Sequence, residues 1–258
     1  MTPRVIVVTG TSTDVGKTVT VAALAAACAA AGLRPAVCKA AQTGVGPTDL
    51  GDADEVVRLC GGVAATECAR FPDPLAPETA ARRAGRAPVT LDAIAAAVHR
   101  LATDADLVIV EGAGGVLVRL APDLTVIDVA ARLHADVLVV TDPGLGTLNH
   151  TELTVRALRS AGRRVLGLVV GSWPEGPDLA MTSNLDDLPR LSETPILGAI
   201  PAGAGARDPR DFRSAAPEWF APDLIADLAA HRDETPAAAH RPQPFPTDEH
   251  SQPTRRSV

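Results

Sequence analysis

The sequence predicts an α/β fold: a parallel sheet with helices on both faces, in a single domain. Three observations carry that prediction. Short apolar runs such as Val5-Ile6-Val7-Val8 and Leu107-Val108-Ile109-Val110 lack the polar alternation of a half-solvated strand, so both faces are covered. Longer Ala- and Leu-rich stretches with helical spacing separate them, the alternation of a parallel sheet. Polar, Gly-rich segments follow the strands, at 10–18, 39–44, 111–115, 141–148, 171–174 and 201–205, and in such sheets ligands bind at the carboxyl ends of strands.

In order, residues 5–8 read as the first strand, and 19–31 as a helix closed by Gly32. Residues 34–38 form a second strand, and 52–59 and 91–101 are helical. A strand at 107–110 ends at Glu111. A helix at 126–133, a strand at 137–140 and a helix at 147–161 closed by Gly162 follow. Strands at 165–170 and 196–200 complete the sheet. No internal repeat is evident.

The chain has 258 residues and is 46% hydrophobic, enough for a sizeable core. Only four Phe and two Trp occur and no Tyr, so that core is built from Ala, Val, Leu and Ile. A net charge of −7 leaves no basic stripe for a nucleic-acid partner. No apolar run approaches the ~20 residues that span a bilayer, and Met1-Thr2-Pro3-Arg4 carries no secretory leader; a cytoplasmic protein without a membrane partner is expected. Cys28, Cys38, Cys60 and Cys68 have no zinc-ligand spacing and are expected as reduced thiols. Residues 1–230 are expected as the folded domain. Residues 231–258, rich in Pro, His and charge, are expected as a disordered tail, because that composition cannot bury a core.

Two lysines stand against 22 arginines, and both follow strands. A compact ammonium on a flexible stem offers a point charge that a planar guanidinium does not. Lys17 lies in Gly10-Thr11-Ser12-Thr13-Asp14-Val15-Gly16-Lys17-Thr18, between a strand and an Ala-rich helix. This GxxxxxGKT run is one residue longer between its glycines than the usual GxxxxGK[ST] phosphate loop. Gly16 lets successive amides curl inward, and the helix N-terminus adds its dipole. Lys17 then bridges the β- and γ-phosphates, and Thr18 offers its hydroxyl to Mg²⁺. The fold class is accordingly a P-loop NTPase-type parallel sheet.

Glu111 precedes Gly112-Ala113-Gly114-Gly115, and a carboxylate at a strand end beside a glycine turn suits an oxygen-seeking cation such as Mg²⁺. Asp49, Asp52 and Asp54 cluster before a helix. One of them is expected to join the metal, and their order alone does not choose among them. Lys39, with Thr43 and Gly44 after it, can meet a second substrate or charge on a transferring phosphoryl group.

Several runs together resemble the dethiobiotin synthetases of the biotin pathway. TGTSTDVGKT is similar to that family's VTGTDTxVGKT, VCKAAQTG to its KPVxTG, EGAGGVLV to its EGAGG, and DPGLGTLNHTELT to its LGTINHT. GSWP and the closing PAGA fit a branch of the family, and the likeness spans residues 4–230 in order. The resemblance implies an ATP- and Mg²⁺-dependent ligase that converts 7,8-diaminononanoate and CO₂ to dethiobiotin. The steps it implies are a carbamate, then a carbamic–phosphoric anhydride, then ring closure with release of ADP and phosphate. It also implies a homodimer. Carried over by residue, it implies that Thr13, Asp14, Val15, Gly16, Lys17, Thr18 and Val19 surround the nucleotide phosphates. Ser172, Trp173, Pro201, Ala202 and Gly203 then lie on the base side. Thr13, Lys17 and Lys39 act in catalysis, and Thr18, Asp52 and Glu111 hold Mg²⁺; Asp52 is preferred for its place before Glu55-Val56. Thr43, with Lys39, faces the carbamate and the phosphoryl group on the substrate side, and Gly114 and Val116 line the diamine site. Leu145, Gly146, Thr147, Leu148 and Asn149 bind the substrate tail, in the same or the neighbouring subunit.

Two departures stand out. Ala40 replaces the family's proline after the strand-2 lysine, and Gly171-Ser172-Trp173 stands where many members read adenine with Asn. Nucleotide preference therefore stays open, and Trp173 either stacks on a base or packs. A rival reading, a P-loop switch ATPase that partitions DNA or positions division machinery, would carry an early loop lysine where Ser12 stands. A second rival is an ATP-dependent amidation or kinase step in cofactor synthesis.

Overall fold

The structure is a computed structural model that describes residues 3–230. The elements run β1 (Arg4–Gly10), α1 (Lys17–Ala30), β2 (Pro35–Lys39), β3 (Gln42–Thr43), α2 (Asp52–Cys60), β4 (Ala64–Glu67) and β5 (Arg70–Phe71). Then come α3 (Pro77–Arg83), α4 (Leu91–Leu101), β6 (Leu107–Gly115), α5 (Val126–Arg132), β7 (Asp136–Thr141) and α6 (Thr147–Ser160). The chain continues through β8 (Val165–Trp173), α7 (Leu179–Ser192), β9 (Ile196–Pro201), α8 (Pro209–Ala215) and α9 (Pro222–Ala230).

Seven strands form one sheet in the order β4-β2-β6-β1-β7-β8-β9, and each neighbouring pair is parallel. β1 sits at the centre, with β2, β4 and β6 to one side and β7, β8 and β9 to the other. The strand order reverses there, and a crevice opens outside the carboxyl end of β1. β3 and β5 form a separate parallel pair, Gln42 beside Arg70.

Successive strand residues feed opposite cores. Ile6 and Val8 join α1, α2, α8 and α9 in one core, and Val7 joins α4, α5, α6 and α7 in the other. α1 is buried along most of its length, from Thr20 to Cys28. Its alanines let it lie close between the sheet and α2, which is how a chain with few aromatic rings still closes its core. Arg4 ties the base of the sheet to α9 through Asp136 at 3.3 Å and Asp227 at 2.9 Å.

Structure and expectation differ at defined points. β6 does not end at Glu111; it continues to Gly115, because Gly115 still pairs with Gly10 across a register shift in β1. Glu111 is therefore inside a strand and 1% exposed. β8 likewise runs through Ser172 to Trp173, held by the pairing of Trp173 with Pro201. The short strands β3, β4 and β5 and the helices α3, α7, α8 and α9 have no counterpart in the pattern reading. α7 carries Pro189 within it, and α3 opens on Pro77, residues that punctuate a helical pattern. No helix among the described residues is long and apolar enough to cross a membrane. The expected tail, 231–258, lies outside the described residues.

Candidate active site

The phosphate loop leaves β1 and curls over the start of α1. Asp14 and Gly16 take left-handed backbone, at φ 57° and 90°. Lys17 donates to the Ser12 carbonyl at 2.8 Å, so the ammonium lies under the loop's own arch. The carbonyl of Gly171 in β8 occupies the space a Cβ on Gly16 would need, and a Cβ on Gly171 would collide with the Val15 carbonyl. Two glycines thus let the loop reach past β7 and rest directly on β8. That contact sets the loop's height above the sheet.

Lys39, at the end of β2, points across to β6. Its Nζ lies 2.7 Å from Glu111 Oε1 and 2.5 Å from Asp52 Oδ2. Glu111 Oε1 also accepts from Thr18 Oγ1 at 2.9 Å. Thr18, Lys39, Asp52 and Glu111 therefore meet at one point, brought by α1, β2, α2 and β6. Of the three clustered aspartates, only Asp52 faces Lys39. Asp54 accepts from the Gly51 amide at 2.8 Å, and Asp49 from the Gly46 amide at 2.8 Å. The main chain of Asp52 is itself held, its amide donating to Gln42 Oε1 at 2.8 Å.

The two lysines share a cavity of about 440 Å³, lined also by Thr13, Asp14, Gly16, Thr18, Val19, Gln42, Thr43, Asp52, Glu111 and Gly114. Their pKa values move in opposite directions. Burial alone would lower Lys39, but the Glu111 and Asp52 carboxylates outweigh it and hold the ammonium above the usual lysine range. Burial, and then the charge of Lys39, pull Lys17 below that range against the weaker opposing pull of Glu111, Asp52 and Asp14. Lys17 is the under-compensated cation of the pair, so an anion such as a phosphate is favoured beside it.

The remaining expected residues divide. Ser172, Trp173 and Pro201, at the ends of β8 and β9, and Ala202 beyond them lie beside one another, with the Ala202 amide donating to the Trp173 carbonyl at 2.7 Å. Gly205, just past Gly203, comes against Val19 of α1, but none of Ser172, Trp173, Pro201, Ala202 and Gly203 lines the cavity of the two lysines. Val116 lines a separate cavity of about 310 Å³ with Thr11, Leu117, His150, Leu153 and Thr154. The segment 145–149 is not among the linings of either cavity. Leu145 is 94% exposed, and the buried Thr147 hydroxyl is 2.7 Å from that of Thr141, which also meets Thr151. Gln42 in the lysine cavity, Gly171 under the phosphate loop and His150 in the second cavity were not among the expected residues. Gln42 sits inside the quoted VCKAAQTG run, but no periodicity marks a glutamine that reaches ten residues ahead to a helix start.

The four cysteines are free. Burial pushes Cys28 and Cys60 up to about 12, as expected of inert thiols.

The AAA domain family profile matches residues 4–210. The ATP-dependent dethiobiotin synthetase BioD of Streptomyces coelicolor is 62% identical over 221 residues, covering 85% of this chain and 93% of that relative. The enzyme of the same name from Streptomyces avermitilis is 58% identical over the same coverage. Among solved structures, the cell division ATPase MinD of Pyrococcus furiosus superposes with a TM-score of 0.53 at 19% identity, covering 89% of this chain and 98% of that one; at that identity the likeness is one of fold.

Proposed function

The chain belongs to the ATP-dependent dethiobiotin synthetases, and from that premise we propose that it closes the cyclic urea of dethiobiotin from 7,8-diaminononanoate, CO₂ and ATP with Mg²⁺. The observation that carries the proposal is the meeting of the chain's only two lysines in one cavity with Thr18, Asp52 and Glu111.

The donor set suits Mg²⁺, which prefers oxygen ligands with room left for water and phosphate. A lysine ammonium already bridges Asp52 and Glu111, so these oxygens converge on a cation. Thr18, Asp52 and Glu111 would hold the ion, which when bound neutralises charge on the β- and γ-phosphate oxygens. Amides of residues 13–18, the N-terminus of α1 and Lys17 bind the phosphates. Ser172, Trp173, Pro201, Ala202 and Gly203 form the base-side edge.

One amine of the diamine and CO₂ give a carbamate. A carbamate oxygen attacks the γ-phosphorus, the bond to ADP breaks, and a carbamic–phosphoric anhydride results. The second amine then attacks the carbonyl and phosphate leaves. Lys39 stabilises charge on the carbamate and the transferred phosphoryl, as a fixed cation in a water-poor site does. Thr13 contributes beside the phosphates, and Thr43 faces the carbamate. Gly114 and Val116 line the diamine's path, and residues 145–149 receive its tail. The chain acts as a homodimer: Leu117 and Leu153, 63% and 60% exposed, flank the cavity that Val116 lines and offer apolar area to a second copy.

The test is phosphate release coupled to dethiobiotin, measured by mass spectrometry. Both should require diamine, bicarbonate, nucleotide and Mg²⁺ together. Phosphate release that ignores the diamine would reject the proposal.

A further inference from the structure

Residues 44–51 carry no helix or strand, yet they deliver Asp52 to the cavity. Such a segment needs an external brace, and one guanidinium provides it. Arg70, at the start of β5, donates from Nη1 to the carbonyls of Gly46 at 3.1 Å and Asp49 at 2.5 Å. Its Nε and Nη2 grip both oxygens of Glu67 at 2.8 and 2.9 Å. Nη2 also lies 3.5 Å from Asp54 Oδ2, the carboxylate that accepts from the Gly51 amide. The segment runs flush against this brace. Glu67 Oε1 fills the place of a Cβ on Gly51, with Arg70 Nη2 at 2.9 Å and Gln42 Oε1 at 3.1 Å from it.

An exposed ion pair between two mobile side chains contributes little. This one differs. The bidentate grip of Glu67 orients the fork, and the remaining donors go to main-chain carbonyls of a segment with few other anchors. Gln42, paired beside Arg70 in the β3–β5 ladder, completes the grip by accepting from the Asp52 amide.

We infer that Arg70 is a positioning residue for the reaction: its guanidinium, oriented by Glu67, fixes the segment before α2 and thereby sets where the Asp52 carboxylate stands beside Lys39. The inference rests on the reading above in which Asp52 serves the metal and nucleotide phosphates. Arg70 acts through Asp52 and touches no reacting atom.

The experiment is a double-mutant cycle. Arg70→Met keeps the apolar stem and removes every donor. It should lose ~10- to 100-fold in kcat/KM for Mg-nucleotide, the range seen when a supporting partner of a metal ligand is removed. Calorimetric binding of Mg with a non-hydrolysable nucleotide should weaken in parallel. In the Asp52→Asn background the same change should cost nothing further, because two groups acting through one contact are not additive. Arg70→Lys, which keeps the charge but loses the fork, should fall between. If Arg70→Met does not fold, Arg70→Lys carries the cycle. Unchanged rate and binding in the folded Arg70 variant, or a full additional loss on top of Asp52→Asn, overturns the inference and leaves the functional reading standing. An Asp52→Asn enzyme of undiminished rate removes the functional role of Asp52, and the inference falls with it.

Discussion

Lysine and arginine are not interchangeable at the centre of this site. Lys39 is 4% exposed and its ammonium sits within hydrogen-bond reach of two carboxylates. A guanidinium there needs more volume and directs its donors in a plane. Lys39→Arg is expected to fold and to lose ~100-fold or more in kcat, the scale seen when one preorganised donor is removed from a transition state. Steady-state kinetics with a thermal melt as control checks this, and a near-normal kcat would refute the role given to Lys39. The chain's lysine scarcity makes both residues conspicuous in the sequence. Gln42 was equally part of the constellation, but one glutamine among ordinary residues carries no compositional signal, and its importance lies in a hydrogen bond to Asp52.

At the scale of elements, the long strands and helices were legible because their apolar residues repeat with a clear period. β1, β2, β6, β7, β8 and β9 and the helices α1, α2, α4, α5 and α6 stand within a few residues of expectation, apart from the carboxyl ends of β6 and β8. Those ends extend further than the pattern predicts, because Gly112–Gly115 and Gly171-Ser172 read as turn formers. In the sheet they lie inside strands at register shifts, which the pairing of Gly115 with Gly10 and of Trp173 with Pro201 closes on the far side. Gly171 shows why a glycine is needed there: the phosphate loop touches its backbone. Gly171→Ala forces apart β8 and the loop. It is expected to cost about 1–3 kcal/mol of stability, as overpacking does, and to weaken nucleotide binding with it. Chemical denaturation and nucleotide titration measure the two losses; a wild-type response in both would contradict the contact.

For the whole molecule, the described residues contain the shared cavity and both cores, and α9 closes one of them with Leu224 and Leu228. The S. coelicolor relative matches 221 residues of this chain. Removing residues 232–258 is therefore expected to leave kcat and KM unchanged, and lost turnover in the truncated protein would assign that segment a part in the reaction. The layered parallel sheet and the phosphate loop were legible in the sequence, and the scarcity of lysine singled out Lys17 in that loop and Lys39 at the end of β2. These follow from periodicity, from glycine placement and from residue choice, all of which are local. The resemblance had pointed to Asp52, but only the packing of α2 against β2 shows that its carboxylate meets Lys39 while Asp49 and Asp54 turn back to main-chain amides. Tertiary structure also decided that Glu111 lies inside a strand and that a guanidinium from β5 braces the approach to α2. Each depends on which strands become neighbours, and neighbours distant in sequence leave no mark in spacing along the chain.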